Sequence, residues 1–539
     1  MRVRGSNEFV LAIRRGFCAI LCIVMVFLSM LYTDNGSSIV AHASGLISLS
    51  ASISGSNVVV KATTSSVPSS ADGLYHLYAQ NVYDSGVTGT EVATAAAGTT
   101  ATFTFALNNN TANSMLYKKF VVATSQGGVM TQVSNAAYIT NPEALATHTV
   151  ARVQAGKKGI IPESTMIHSG DIVTLGVDQC SYNLLMSQLL NKSGSQVTYN
   201  YNGKTYSFNA GIVQAYDWLV SMFKQNNISC TMVLLNDWHS DLTSINPLSR
   251  TSGHSYYAYN AADQSGVELL AAIGSFLASR YSDQGVGQID NFVIGNEVNA
   301  RYLWNYMSNV DVTTYTVQNA NAFRVFYNAI KSQNANANVY TCIDQMWAST
   351  NEPNKYYAGK DYLDLFNSYI SSEGNIDWSL AVHPYDVPLT NSYAWANSSK
   401  YVTHDITSPY VAMQNIEVVT DYMCTSAFKN PAGQVRSIIC SEVGYSSTAG
   451  EAVQAAAITY AYEIAVNNQY IDAFIYNKEM DASAELSQGL ALGLVSSSGS
   501  HKLAYAYYQN LDGANAQQYI SAAAATIGVT DLSSILVTR

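Results

Sequence analysis

Two acidic residues in this sequence stand where a structural strand has no use for them. In "IDNFVIGNEVNARYLW", residues 289–304, an apolar run ends in Asn296 and Glu297. In "RSIICSEVGYSS", residues 436–447, a second run ends in Glu442. A carboxylate beside an apolar strand is costly unless it is paired or hydrogen-bonded. Two of them facing one cleft can be driven to different pKa values, one staying a proton donor and the other an ionised nucleophile. That division of labour is what cleavage of a glycosidic bond requires. A carboxyl separation of about 5 to 5.5 Å gives retention of configuration, and about 6.5 to 9.5 Å gives inversion.

Other strand ends carry polar groups too: Asn236, Asp237 and Trp238; Asp344 and Gln345; His383 and Tyr385; Tyr476, Lys478 and Glu479. Trp238, Trp304, Trp347 and Trp395 could serve as sugar platforms. Asp237 and His239 could bind substrate or cap a loop. There is no P-loop, HExxH or G-x-S-x-G motif. No Cys/His set has zinc spacing, so no metal or cofactor is expected. Five scattered cysteines follow the N-terminal segment, an odd number that makes no disulfide framework.

From about residue 150, helical stretches alternate with apolar strand-like runs at 171–179, 228–237, 289–297, 338–345, 376–386, 436–445 and 471–479. This rhythm predicts a parallel sheet covered by helices. Seven runs, with an eighth to be found in 149–161 or near a hairpin turning at Asn202-Gly203, predict a closed (β/α)8 barrel over 150–539 rather than an open sheet. A barrel gathers all the polar strand ends into one rim. Residues 45–142 instead alternate apolar and polar residues between short turns, which predicts an all-β sandwich preceding the barrel. Tyr75, Tyr78 and Tyr83 could make that sandwich a sugar binder, and the competing expectation is a spacer packed on the barrel.

The chain begins with Arg2, Arg4, Arg14 and Arg15, then "GFCAILCIVMVFLSMLY", then "AHAS". This is the pattern of a signal peptide over 1–43, cleaved after Ala43, with a retained anchor as the alternative. A secreted or cell-surface monomer, free of the membrane after cleavage, is expected. Charged residues make up only 12% of the chain, about half the usual quarter, while tyrosine occurs 38 times and the net charge is −11. Phosphate binding needs clustered Lys and Arg, so nucleic acid is excluded as a partner and carbohydrate is favoured.

"IGNEVN" and "SEVGYSS", on the fourth and seventh barrel strands, with "HPYD" on the sixth, resemble the clan A retaining glycoside hydrolases with (β/α)8 barrels. The resemblance covers roughly residues 150–515. It implies Glu297 as acid/base and Glu442 as nucleophile. It further implies Asn296 bonding the sugar 2-hydroxyl, with His383 and Tyr385 orienting the site. The sequence departs from the clan in three places. Val298 stands where Pro often follows the acid/base, no early Arg beyond Arg152 is evident, and Tyr476 is the nearest stand-in for a strand-eight Trp. Asp237, Trp238, Trp347 and Tyr476 complete the expected substrate-binding set. The resulting expectation is a secreted retaining enzyme on β-linked glycan. The alternative is a non-catalytic glycan-binding or adhesive protein.

Overall fold

The computed structural model describes residues 46–153, 155–163 and 170–539. The expected signal segment, 1–43, lies outside the described residues.

The first part of the chain folds as antiparallel strands in two sheets. One holds β1 (Ser48–Ser54), β2 (Asn57–Thr63) and β5 (Thr100–Ala106). The other runs β4 (Thr90–Ala96), β3 (Leu74–Gln80), β6 (Lys119–Gln126) and β7 (Val129–Gln132), with β8 (Ala137–Tyr138) also pairing to β6. The period-two pattern is obeyed: Leu49, Ala51 and Ile53 of β1 and Val58, Val60 and Ala62 of β2 turn inward while their neighbours face out.

The strands β9 (Lys158–Ile160), β10 (Gln179–Leu185), β13 (Ser229–Leu235), β14 (Asn291–Ile294), β15 (Asn338–Ile343), β16 (Ser379–Val382), β17 (Ile438–Val443) and β18 (Ile471–Tyr476) close into a parallel barrel. The hairpin of β11 (Gln196–Tyr201) and β12 (Lys204–Asn209) lies outside it and turns at Asn202 and Gly203, both at positive φ. The eighth strand is therefore the three-residue β9, within 149–161.

One part of the strand assignment is corrected. Asp171–Leu175 is a short helix ended by Gly176 in the left-handed region, and the strand is Gln179–Leu185, where a helix was expected. Both segments are short apolar runs, and period alone does not separate strand from helix at that length.

The covering helices start on side-chain caps. Asn209 accepts from the Ile212 N–H, Asp263 from Gly266 and Asp311 from Thr314. Barrel strands alternate between two faces. Val233, Leu235, Val293, Tyr340, Cys342, Ala381, Ile439, Ala473 and Ile475 pack together along the barrel axis. Their alternates join the helices in the larger core, which is continuous with the sandwich.

The sandwich docks on the outside of the barrel. Asn135 Nδ2 donates to the Ser372 carbonyl at 2.8 Å, the Tyr138 N–H donates to the Glu373 carbonyl at 2.8 Å, and the Arg324 guanidinium lies 4.6 Å from the Tyr138 ring centre. Tyr75 is fully buried, Tyr78 bonds Glu91, and Tyr83 packs against the core. These three tyrosines make no exposed platform. Among the described residues no helix is long and apolar enough to cross a membrane.

Candidate active site

The strand phase decides which side chains reach the site. Beyond the last inward-facing core residue of each strand, the same every-other-residue phase continues into the loop. Val293 leads to Glu297, Cys342 to Asp344, Ala381 to His383 and Tyr385, and Ile475 to Asn477. Glu297, Asp344, Tyr385 and Asn477 line one hollow of about 660 Å³ at this mouth, together with Glu442 and Asn296.

Glu442 reaches it by a different device. Cys440 pairs with Phe474 and Val443 with Tyr476, so β17 carries one residue more than β18 across this step. Without that bulge Glu442 would share the outward phase of Cys440. With it, Val443 takes the outward position and Glu442 turns to the axis. Bulges that re-aim one side chain are common beside active sites. Gly444 follows at a close approach, where a Cβ would sit 2.5 Å from the Asn477 carbonyl oxygen.

His383 links the two carboxylates. Its Nδ1 lies 2.8 Å from Glu297 Oε1 and 3.8 Å from Glu442 Oε2. Its Nε2 is 3.3 Å from Cys342 Sγ. Burial alone would depress this imidazole. The Cys342 sulfur, the Glu442 carboxylate and the bond to Glu297 outweigh burial and hold it well above its ordinary range. Glu442 accepts from the Tyr385 hydroxyl at 3.1 Å, and Asn477 Nδ2 donates to that phenol oxygen at 2.7 Å. Burial pushes Glu442 up from the ordinary carboxylate range. His383 opposes that, Glu297 adds to it, and the Tyr385 bond and Lys478 oppose it. Glu297 itself sits at φ 39°, a backbone region L-residues seldom occupy and one that clusters at functional sites.

The remaining expected residues fall elsewhere. Asp237 accepts from the Ser187 N–H at 2.7 Å and from its hydroxyl, so it caps a short helix. Trp238 is 38% exposed and packs on Tyr257 outside the hollow. The expectation for Trp347 is corrected: it is buried against Tyr422, with its indole N–H on the Ile406 carbonyl. Tyr476 is also corrected. It shares the outward phase, is fully buried, and donates to the Leu492 carbonyl at 2.6 Å. Trp304 does line the hollow, tilted against Tyr256. Arg152 bonds Asn291, which opens β14 at the opposite mouth.

Sequence reasoning gave no role to Asp344, Asp386, Asn477 or Cys342. Asp344 and Asn477 lie at strand ends with the same inward phase as Glu297, and that phase was the available signal; Asp386 follows the inward Tyr385 and is out of that phase. Asp386 is buried with Oδ1 held by Asn397 at 2.8 Å, and burial pushes it up to about 7. No His, Cys, Asp and Glu group able to hold a metal ion occurs among the described residues.

Fold and site together define an eight-stranded parallel barrel with a hollow at the C-terminal mouth lined by Glu297 and Glu442 among other carboxyl groups. The chain belongs to a family of unknown function, DUF5722, whose model matches residues 150–535. No curated protein matches it. Among solved structures it is similar to a family 39 glycoside hydrolase from the gut symbiont Bacteroides cellulosilyticus WH2, at 13% identity and TM-score 0.44, over 86% of this chain and 83% of that one. It is also similar to a hyperthermophilic β-glucosidase from Pyrococcus furiosus, at 14% identity and TM-score 0.45, over 70% and 88%. GH5_18 from Bifidobacterium longum subsp. longum matches at 13% identity and TM-score 0.44, over 68% and 79%. At these scores the neighbours define no activity for this chain.

Proposed function

We propose that this protein is a secreted glycoside hydrolase that cleaves β-linked glycan by double displacement. Glu442 is the nucleophile and Glu297 the acid/base. The observation that carries this reading is the buried His383 imidazole, whose Nδ1 lies 2.8 Å from Glu297 and 3.8 Å from Glu442, two carboxylates that line one open hollow. Two acids from strands remote in the chain, held by one charged ring, form a working pair rather than two separate structural charges.

In the first step, ionised Glu442 attacks the anomeric carbon and Glu297 gives a proton to the departing oxygen. Tyr385 and His383 stabilise the carboxylate charge on Glu442 against the cost of burial. In the second step, Glu297 takes a proton from water, and that water releases the sugar from Glu442. Because one nitrogen reaches both groups, their nearest oxygens lie no farther apart than those two contacts placed end to end. That favours the closer spacing of about 5 to 5.5 Å over the wider inverting range. Asn296, Trp304 and Tyr256 line the hollow; on this reading Asn296 bonds a sugar hydroxyl and the two aromatic rings lie against a sugar face.

The test is hydrolysis of a panel of β-glycosides and β-glucans, with the first-formed anomer read by proton NMR. β-Anomer released first supports the reading. No hydrolysis of any member, or α-anomer first, contradicts it. Secretion is tested by N-terminal sequencing of the extracellular protein, which should begin at Ser44.

A further inference from the structure

Cys342 puts a thiol directly beneath the candidate site. It lies on β15, is fully buried and belongs to the row of side chains packed along the barrel axis. It pairs in register with Ala381 of β16, so His383, two residues on, shares its inward phase. Its Sγ stands 3.3 Å from His383 Nε2. Its backbone carbonyl accepts at 2.9 Å from the N–H of Val298, the residue after Glu297. One residue therefore touches both the ring and the loop that meet in the Glu297–His383 contact. The His383 N–H, donating to the Ile343 carbonyl at 3.0 Å, ties the ring's own backbone to the same strand.

The two nitrogens of this ring have different tasks. Nδ1 faces Glu297 Oε1 at 2.8 Å and Glu442 Oε2 at 3.8 Å. A carboxylate oxygen only accepts, so Nδ1 must carry a hydrogen. Which nitrogen of a histidine is protonated is set by the bond that the other makes. For Nε2 that bond is to Cys342, its one hydrogen-bond partner among the described residues. The ionisable groups facing the ring are Glu297 from the loop after β14, Cys342 and Asp344 from β15 and its end, Tyr385 from the end of β16, and Glu442 from β17. Against the cost of burial, Cys342, Glu442 and Glu297 hold the ring in its charged form. A charged ring has a hydrogen on both nitrogens, and a buried N–H without an acceptor is costly. The neighbouring axis residues Val293 and Ala381 offer none. A thiol suits the place, being apolar enough for the axis and still able to accept.

We propose, on the reading that this protein is a glycosidase, that Cys342 is a positioning residue for His383. Its sulfur accepts the Nε2–H and thereby fixes the Nδ1–H toward Glu297 and Glu442.

Cys342→Ala and Cys342→Ser test this together. The serine keeps an acceptor at the same place, and the alanine removes it. Nitrogen-15 NMR of histidine-labelled protein reads the ring without turnover. The wild type should show hydrogen on both His383 nitrogens at pH 7. In Cys342→Ala the His383 midpoint should fall by about one pH unit, and in Cys342→Ser it should stay close to wild type. On an accepted glycoside kcat should fall about tenfold in the alanine variant, with KM little changed, and be largely restored in the serine variant. A purely packing role orders the two the other way, because serine buries a hydroxyl in the axis and alanine only trims a sulfur. A wild-type midpoint in Cys342→Ala, or a serine variant as impaired as the alanine, overturns the proposal. If the midpoints move as expected but no glycoside is hydrolysed by the wild type, the glycosidase reading fails and the hold of Cys342 on His383 stands.

Discussion

The Tyr385 hydroxyl donates to Glu442 Oε2 at 3.1 Å, and the same phenol oxygen accepts from Asn477 at 2.7 Å. The phenol's one proton is thereby committed to the carboxylate. A hydrogen bond to a charged group contributes about 1.5 to 3 kcal/mol, or about one to two pH units. Tyr385→Phe should raise the Glu442 pKa. The nucleophile must be ionised, so the acid limb of kcat/KM should move up by about one unit while KM changes little. A pH–rate profile checks this, and an acid limb that stays put would remove Tyr385 from the account.

Glu297→Gln and Glu442→Gln should each lower turnover by at least the roughly 10²- to 10⁴-fold that acid–base groups supply. Circular dichroism should show both variants folded. Wild-type rates in either variant on an accepted glycoside would exclude that residue.

Gly444→Ala isolates the packing behind the nucleophile. The φ of Gly444 is open to any residue, so the only obstacle is space. The new methyl would lie 2.5 Å from the Asn477 carbonyl oxygen and 3.4 Å from Tyr385 Cε1. Overpacking of this kind costs about 1 to 3 kcal/mol. The expected outcome is a melting temperature lower by several degrees and a kcat loss of at least tenfold as Asn477 and Tyr385 are displaced. Full activity with no thermal change would show that the site is looser than the structure describes.

Stability should fall as pH rises. Asp386 is pushed up to about 7 by burial and Asp344 to about 8. The folded protein holds these protons over a range in which the unfolded chain has lost them, from about pH 4 upward. Stability is therefore fully present below about pH 4 for these groups. It is lost as pH rises through their folded values and is flat beyond about pH 8. Asp386→Asn should flatten that decline in melting temperature between pH 5 and 8. An unchanged slope would assign the effect to other groups.

Much of the barrel was legible because its strands are continuous apolar runs preceded by helical spacing. The glutamates were legible because a charge at the end of such a run has no structural reason to be there. Three things were hidden. β9 has three residues, too few to show a pattern. The phase of each strand end was not read, so Tyr476 was expected in the hollow where Asn477 stands. The bulge that turns Glu442 inward depends on the pairing of β17 with β18, which is a property of two strands and not of either sequence. Asp344 was visible only as one polar strand end among several. It is bonded by Asn299, which lies 45 residues away in the chain.

The central claim is that Glu442 forms a covalent bond to sugar. Incubation with a set of 2-deoxy-2-fluoro-β-glycosides carrying good leaving groups, followed by peptide mass mapping, reads that bond directly. The account predicts a single glycosyl adduct on the peptide containing Glu442, absent from Glu442→Gln. A wild-type enzyme that hydrolyses glycosides with no adduct on that peptide, or an adduct on another residue, would contradict it.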